Sequence, residues 1–284
     1  MKAAFIGLGV MGFPMAGHLA AAGHHMKVYN RSPDKAKRWA DTHPGKACAT
    51  AAEAAEGCEI VALCVGNDAD VRAVLEDILP VMAEGAIVLD HTTASAKLAR
   101  EASEKAQGLG RFFIDAPVSG GQAGAENGTL SVMAGGDEAA FERVVPFMGA
   151  YAKAIRRIGP SGAGQLTKMV NQICIAGVLQ GLSEGLAFAQ KAELDVDAVL
   201  QAISKGAAQS WQMENRWGTM SEGKFEFGFA VDWMRKDLGL ALDEARANGA
   251  SLGVTALIDQ YYAEVQAMGG RRWDTSSLVA RLRR

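Results

Sequence analysis

The strongest constraint on this chain lies in its first dozen residues, MKAAFIGLGVMG. A short apolar run, Ala3-Ala4-Phe5-Ile6, enters Gly7-x-Gly9-x-x-Gly12, and an apolar helical pattern follows through Leu19 and Ala20. Strand, tight turn and helix start in that order are the parts of a dinucleotide-binding βαβ unit. Gly7 allows the turn, Gly9 lets a pyrophosphate approach the backbone, and Gly12 permits close packing of helix on strand. The amides at the helix start face the phosphates, with the helix dipole behind them. Glycine is common here, 33 of 284 residues, so the motif counts because of its place between strand and helix.

A chain of 284 residues has room for two domains. Its formal net charge of -3 gives no general pull toward nucleic acid or an anionic membrane. The ending Arg281-Leu282-Arg283-Arg284 is too short to reverse that and reads as a solvated terminus. The cysteines, Cys48, Cys58, Cys64 and Cys174, form no CxxC and no metal-ligand spacing, so no metal is expected. The last three lie in apolar surroundings and read as core thiols. No secretory signal is expected, because the initial apolar run is broken by the motif glycines. The most apolar long stretch, residues 169–190, contains Asn171, Gln172, Gln180, Glu184 and Gln190. It reads as a buried soluble helix, not a membrane span. A cytoplasmic protein without nucleic-acid or membrane partners is expected.

Lys27-Val28-Tyr29 is the expected second strand, followed by Asn30-Arg31-Ser32. An NAD site ordinarily places Asp or Glu near this tip to take the adenosine ribose hydroxyls. Here no carboxylate stands at the tip. Arg31 can pair with a 2′-phosphate, and Asn30 and Ser32 can supply donors, which favours NADP(H) with NAD(H) as the lesser cofactor. Asp34 follows Pro33 and reads as the cap of the next helix. Glu59 to Val65 reads as a buried parallel strand ending at a loop, Gly66-Asn67-Asp68, that lines the cofactor crevice. Ala86 to Asp90 delivers His91-Thr92-Thr93 to the same edge. The threonines suit the nicotinamide ribose or the substrate, whereas a lone His after a strand reads first as structural. Arg111 to Ala116 is another strand, leading into Pro117-Val118-Ser119-Gly120-Gly121, and Asp137 can cap a helix through Phe141 and Val144. A last strand, Ala154 to Ile158, closes this region.

The pattern then becomes helical. One long helix is expected over about 164–189, with Lys168 and Asn171 one turn apart on one side. Gly177, Gly181 and Gly185 recur at four-residue spacing, a row that permits close helix–helix contact. Further helices are expected over Asp195 to Ile203, around Trp211, from Val231 to Asn248 and from Val254 to Met268. The architecture read from the chain is therefore α/β: a Rossmann-type N-terminal domain over 1–161, then an all-helical domain over 162–284 entered by the long helix. The apolar content of the second domain points to a homodimer or homotetramer.

These landmarks resemble one family closely, the β-hydroxyacid dehydrogenases, which include 3-hydroxyisobutyrate dehydrogenase, tartronate semialdehyde reductase and glyoxylate or succinic semialdehyde reductases. Phe5-Ile6-Gly7-Leu8-Gly9-x-Met11-Gly12-x-x-Met15-Ala16 is similar to the family's cofactor motif. Asp115-Ala116-Pro117-Val118-Ser119-Gly120-Gly121-x-x-Gly124-Ala125-x-x-Gly128-Thr129-Leu130 resembles its substrate segment, and Gly162-x-Gly164-x-x-x-Lys168-x-x-Asn171 its catalytic segment. Lys236-Asp237 resembles the Lys-Asp pair of its second domain. The resemblance implies Lys168 as the catalytic residue and Ser119, Gly120 and Gly121 as the substrate-carboxylate cradle. It implies Asn171 as a substrate contact, Lys236 near cofactor and substrate, and Asp237 as the residue orienting that segment. Thr93 matches the family threonine near the nicotinamide. The cofactor set is then Gly7, Leu8, Gly9, Val10, Met11, Gly12, Asn30, Arg31, Ser32, Val65, Thr93, Lys236 and Asp237. His91-Thr92 departs from the usual pattern, and Gln172 stands where many members carry a second Asn.

The implied reaction interconverts a small β-hydroxy acid and its aldehyde or keto acid. Hydride moves between nicotinamide and carbon, which leaves one proton to transfer at oxygen, and Lys168 is the acid in reduction and the base in oxidation. Two alternatives stand beside it. Imine reductases share the architecture but typically lack lysine at the position of Lys168, and a non-catalytic NADPH-binding sensor or scaffold would bind nucleotide without hydride transfer.

Overall fold

The computed structural model describes residues 1–283. The chain divides into two compact units, Met1–Lys168 and Met169–Arg284. In order the elements are β1 (Lys2–Ile6), α1 (Gly12–Ala21), β2 (His25–Tyr29), α2 (Pro33–Thr42), β3 (Lys46–Ala47), α3 (Ala51–Ala55), β4 (Ile60–Leu63), α4 (Asp68–Ile78), β5 (Ile87–Asp90), α5 (Ala96–Gln107), β6 (Phe112–Asp115), β7 (Val118–Ser119), α6 (Gly121–Glu126), β8 (Leu130–Gly135), α7 (Glu138–Met148) and β9 (Ala152–Gly159). Then come α8 (Ala163–Lys191), α9 (Val196–Ile203), α10 (Trp211–Glu222), α11 (Val231–Asn248), α12 (Gly253–Ala267) and a final 3-10 helix (Thr275–Arg283).

The sheet of the first unit runs β3-β2-β1-β4-β5-β6-β8-β7, with β9 paired to β8. From β3 to β6 all pairings are parallel; β8 is antiparallel to β6 and β7 and parallel to β9. Parallel strands need crossovers, and the helices between them cover both faces. The side chains show it residue by residue. Ala3 and Phe5 of β1, Ile60 and Ala62 of β4, and Ile87 and Leu89 of β5 enter one core cluster with α1 and α7. Ala4 and Ile6, Val61 and Leu63, and Val88 enter the other, with α3, α4 and α5. Strand order reverses between β1 and β4, which places a crevice at their carboxyl ends.

Helix starts follow side-chain chemistry. Thr50, Asn67, Ser95, Asp137, Asp195 and Ser210 each accept an amide of the turn they precede. Asp34 does not cap α2. Ser32 is the N-cap residue and Pro33 opens the helix, so Asp34 lies inside the first turn, where its charge meets the positive end of the dipole.

In the second unit, Ala176 and Leu179 of α8 pack with Val231, Met234 and Leu238 of α11 and Ile258, Tyr262 and Val265 of α12. Leu182 and Leu186 pack with Met213, Trp217 and Met220 of α10. By length and composition alone α8 is apolar enough to cross a membrane, with mean hydropathy 1.3 in its most apolar stretch. Two further expectations are corrected here. Cys174 is exposed, because it shares the outward side of α8 with Val170 and Val178, whereas Cys48 is buried. Along α8, a Cβ at Gly177, Gly181 or Gly185 would meet no described atom of this chain within 4 Å, so the glycine row lies open. The C-terminal arginines are not simply solvated. Arg281 pairs with Glu264 at 2.9 Å and lies over the Tyr261 ring, and Arg283 donates to the carbonyls of Met220 and Ser221. Arg284 lies outside the described residues.

Candidate active site

The glycine turn is held from below and open above. Gly7 has φ +97°, its amide donates to the Tyr29 carbonyl, and a Cβ there would overlap the Cys64 carbonyl oxygen. A Cβ on Gly12 would overlap the Gly7 carbonyl oxygen. Both glycines are therefore required by the protein's own packing. Gly9 is different. A Cβ there would meet nothing within 4 Å, so the turn is open on that side. No side-chain oxygen caps α1 after Met11, and Val10 is exposed. This open cradle at the start of a helix fits a pyrophosphate.

Asn30 braces the glycine turn through its Oδ1 and one Nδ2 hydrogen. Its Oδ1 accepts the Leu8 amide at 2.9 Å and its Nδ2 donates to the Ser32 carbonyl at 3.1 Å, so it ties the glycine turn to the β2 tip. Arg31 stands out from this brace with its side chain 87% exposed, 3.4 Å from Asp70 Oδ1, a weak and screened pair. The carboxyl ends of β4 and β5 are braced in the same way. Thr92 Oγ1 accepts the Val65 amide at 3.0 Å, and Asp90 Oδ1 accepts the Thr92 amide at 2.9 Å. Thr92 is 2% exposed and its hydroxyl holds a loop, while Thr93 is half-buried at the edge.

His91 takes no part in the edge. It is 2% exposed, with Nδ1 at 2.7 Å from the Ala116 carbonyl and Nε2 at 2.8 Å from Tyr151 Oη. These partners set the tautomer: Nδ1 carries the proton and Nε2 accepts from the phenol. Burial pushes its pKa down to about 4, so it is neutral at neutral pH.

Asp115 closes β6 and reaches the start of α8. Its Oδ1 accepts the Gly162 amide at 2.8 Å and its Oδ2 the Gln165 amide at 3.0 Å. A Cβ at Gly135 or Gly164 would fall 2.8 Å from this carboxylate, so both glycines make its seat. Burial lifts Asp115 to about 7 against the pull of these amides, and lifts its sheet neighbour Asp90 to about 7 likewise. Lys168, one turn along, is 7% exposed, and its Nζ donates to the Val118 carbonyl at 2.8 Å. Ser119 follows Val118 in β7; Gly120 (φ +130°) and Gly121 (φ +60°) come next, exposed, with Gly121 meeting nothing within 4 Å. The first unit thus brings together Lys168 and the strand that carries Ser119.

The second unit carries its own polar chain. Asn171 Nδ2 donates to Gln172 Oε1 at 2.8 Å, Gln172 Nε2 donates to Asp237 Oδ2 at 2.7 Å, and Lys236 Nζ lies 3.1 Å from Asp237 Oδ1. Asp237 is 2% exposed; Lys236 compensates its charge and Gln172 bonds its other oxygen. Gln172, singled out only as a departure, is the link between Asn171 and the Lys236-Asp237 pair. Gln165 was not among the expected site residues; it is a buried polar side chain three residues before Lys168, on the same side of α8. Among the described residues, no group of three or more His, Cys, Asp and Glu is placed to hold a metal ion.

Two family models cover the chain. The NAD binding domain of 6-phosphogluconate dehydrogenase matches residues 2–159, and the NAD-binding domain of NADP-dependent 3-hydroxyisobutyrate dehydrogenase matches residues 162–282. The chain belongs to the 3-hydroxyisobutyrate dehydrogenase group of β-hydroxyacid dehydrogenases. It is 62% identical to an uncharacterized oxidoreductase of Shewanella frigidimarina, covering 99% of this chain and 98% of that one. It is 37% identical to the 2-hydroxy-3-oxopropionate reductase of Escherichia coli, covering 99% and 97%. Among solved structures, the 3-hydroxyisobutyrate dehydrogenase of Mycobacterium tuberculosis with L-serine superposes with a TM-score of 0.92 at 31% identity, covering 100% and 99%. Membership makes this an NAD(P)-dependent oxidoreductase acting on a small hydroxy acid and its oxidised partner.

Proposed function

We propose that the protein is an NADP-preferring dehydrogenase or reductase of a small β-hydroxy acid, with Lys168 as the proton donor and acceptor at the substrate oxygen. The observation that carries this reading is the placing of a nearly buried lysine, Nζ 2.8 Å from the Val118 carbonyl, beside the Ser119-Gly120-Gly121 turn. A bound nicotinamide nucleotide supplies or accepts the hydride. The chain's residues supply the rest. Gly7 to Gly12 hold the pyrophosphate and Arg31 the 2′-phosphate. The Ser119 hydroxyl and the amides of Gly120 and Gly121 bind the substrate carboxylate, with positive-φ glycines keeping the backbone accessible. Lys168 donates a proton to the carbonyl oxygen in reduction and removes the hydroxyl proton in oxidation. A cytoplasmic location goes with this reading and is checked by fractionation.

The test is a spectrophotometric panel of serine, 3-hydroxyisobutyrate, glyoxylate and succinic semialdehyde with NADP(H) and NAD(H), run on the intact protein and on Lys168→Ala. The expected outcome is NADP(H)-linked turnover of at least one compound that falls by about 10²–10⁴-fold in the variant. Retained turnover in Lys168→Ala would overturn the assignment of Lys168.

A further inference from the structure

Gln165, which the proposed chemistry does not use, is 1% exposed. A buried primary amide is costly unless its polar atoms are paired. Here Oε1 accepts the Ala94 amide at 3.0 Å and Nε2 donates to the Thr92 carbonyl at 2.7 Å. The amide can point only one way, since the reverse would set donor against donor and carbonyl against carbonyl. Gln165 therefore pairs with the backbone on both sides of Thr93, as a neighbouring strand would. We infer that Gln165 is a positioning residue that fixes Thr93 relative to Lys168, through a clasp between the start of α8 and the loop after β5.

Three independent contacts make the clasp stiff. Asp115 holds the Gly162 and Gln165 amides, which fixes where α8 begins. Thr92 Oγ1 takes the Val65 amide, which ties the clasped segment to the end of β4. Ser95, just beyond it, donates its amide and hydroxyl to Asp68 at 2.9 and 2.5 Å. Lys168 is one helical turn from Gln165, so its Cα moves with Gln165 as a rigid element. An apolar residue at 165 would fill the space but leave the Thr92 carbonyl and Ala94 amide unpaired. The amide is present because of the loop, not because of the core. Misplacement by about 1 Å of a group that must meet a reacting atom costs up to about 10²-fold in rate, which gives the clasp a kinetic consequence.

This inference rests on the hydride-transfer reading, and the experiment separates the two. Gln165→Leu and Gln165→Glu are compared with the intact protein by hydrogen exchange at the Ala94 amide, by NADPH fluorescence titration, and by kcat per NADPH-binding site. The substrate is whichever panel compound the intact protein turns over. In Gln165→Leu, faster Ala94 exchange is expected, with NADPH affinity retained and kcat per site lowered about tenfold to a hundredfold. Gln165→Glu keeps the acceptor for Ala94 but turns a carboxylate toward the Thr92 carbonyl until it is protonated. Asp115, which holds the residue 165 amide, and Asp90, which holds the Thr92 amide, face this segment in both proteins. The comparison is therefore the ratio of variant to intact activity, which should rise toward acid pH. Should the leucine variant fail to fold, the glutamate variant carries the test alone. Unchanged Ala94 exchange in Gln165→Leu, kcat per site equal to the intact protein in either variant, or no rise of that ratio toward acid pH in Gln165→Glu overturns the inference. No turnover of any panel compound by the intact protein overturns the hydride-transfer reading itself, while Ala94 exchange still reports whether the clasp exists.

Discussion

His91 shows how burial decides what a side chain can do. It follows a strand at the edge where hydride chemistry is expected, yet both ring nitrogens are taken, by Ala116 and Tyr151, and the ring is neutral because charging it in this site is unfavourable. The sign of the stability effect follows. Its pKa is about 6.5 when unfolded and about 4 when folded, so the unfolded chain binds the extra proton between those values. Its contribution is complete above about pH 6.5 and is lost as pH falls toward 4, by roughly 2 kcal/mol between pH 7 and pH 5. Asp90 and Asp115 run the other way: with folded pKa values lifted to about 7, they favour the folded state as pH falls through that range. The histidine effect is isolated by comparison with His91→Gln. Urea midpoints of the two proteins should differ most at pH 7 and converge toward pH 5; a constant gap would show that His91 does not titrate as its surroundings dictate.

At the level of elements, two glycines of similar sequence appearance have opposite meanings. Gly164 opens α8, and a Cβ there would stand 2.5 Å from the Met133 carbonyl oxygen and 2.6 Å from that of Asp115. Both atoms are backbone, so the helix start would have to withdraw from the sheet. Gly164→Ala is expected to cost about 1–3 kcal/mol, as overpacking does, and to disturb the seat of Asp115 and hence Lys168. Gly218 lies inside α10, exposed, and a Cβ there meets nothing within 4 Å. Gly218→Ala should stabilise by about 0.5–1 kcal/mol, because glycine loses more backbone freedom in a helix than alanine does. Equilibrium urea unfolding of both variants measures the contrast; equal effects would refute it. The sequence pattern alone shows both glycines in helical stretches. Only the packing of α8 on β8 and β6 separates them.

Across the whole chain, what could be read in advance was whatever depends on local periodicity. The parallel strands β1, β2, β4, β5 and β6, the cap at Asp137, and α11 from Val231 to Asn248 all follow from neighbours in sequence. The resemblance motifs supplied Lys168 and the Ser119 turn, which no local pattern would single out. Partnerships between distant residues were illegible: Asn30 bonding to Leu8, Thr92 to Val65, Gln165 to Ala94 and Gln172 to Asp237 join residues 22, 27, 71 and 65 positions apart. Each converts an apparent ligand or bystander into a brace. The residue least changed by the fold is Arg31, still 87% exposed at the β2 tip and 3.4 Å from Asp70.

That exposure allows the cofactor preference to be tested on the intact molecule, through stability instead of rate. A nucleotide that binds only the folded chain stabilises it by mass action, by about 2.7 kcal/mol at a concentration of 100 Kd. Losing a charge-assisted contact to the 2′-phosphate would cost about 1.5–3 kcal/mol of binding, or about tenfold to a hundredfold in Kd. With a tenfold weaker Kd, the same NADPH concentration would stabilise Arg31→Ala by only about 1.4 kcal/mol. NADH, which has no 2′-phosphate, should stabilise intact protein and variant alike. NADPH should therefore raise the unfolding midpoint of the intact protein more than NADH does, and Arg31→Ala should close most of that gap. An equal gap in both proteins would move 2′-phosphate recognition away from Arg31, and a larger effect of NADH on the intact protein would reverse the proposed preference.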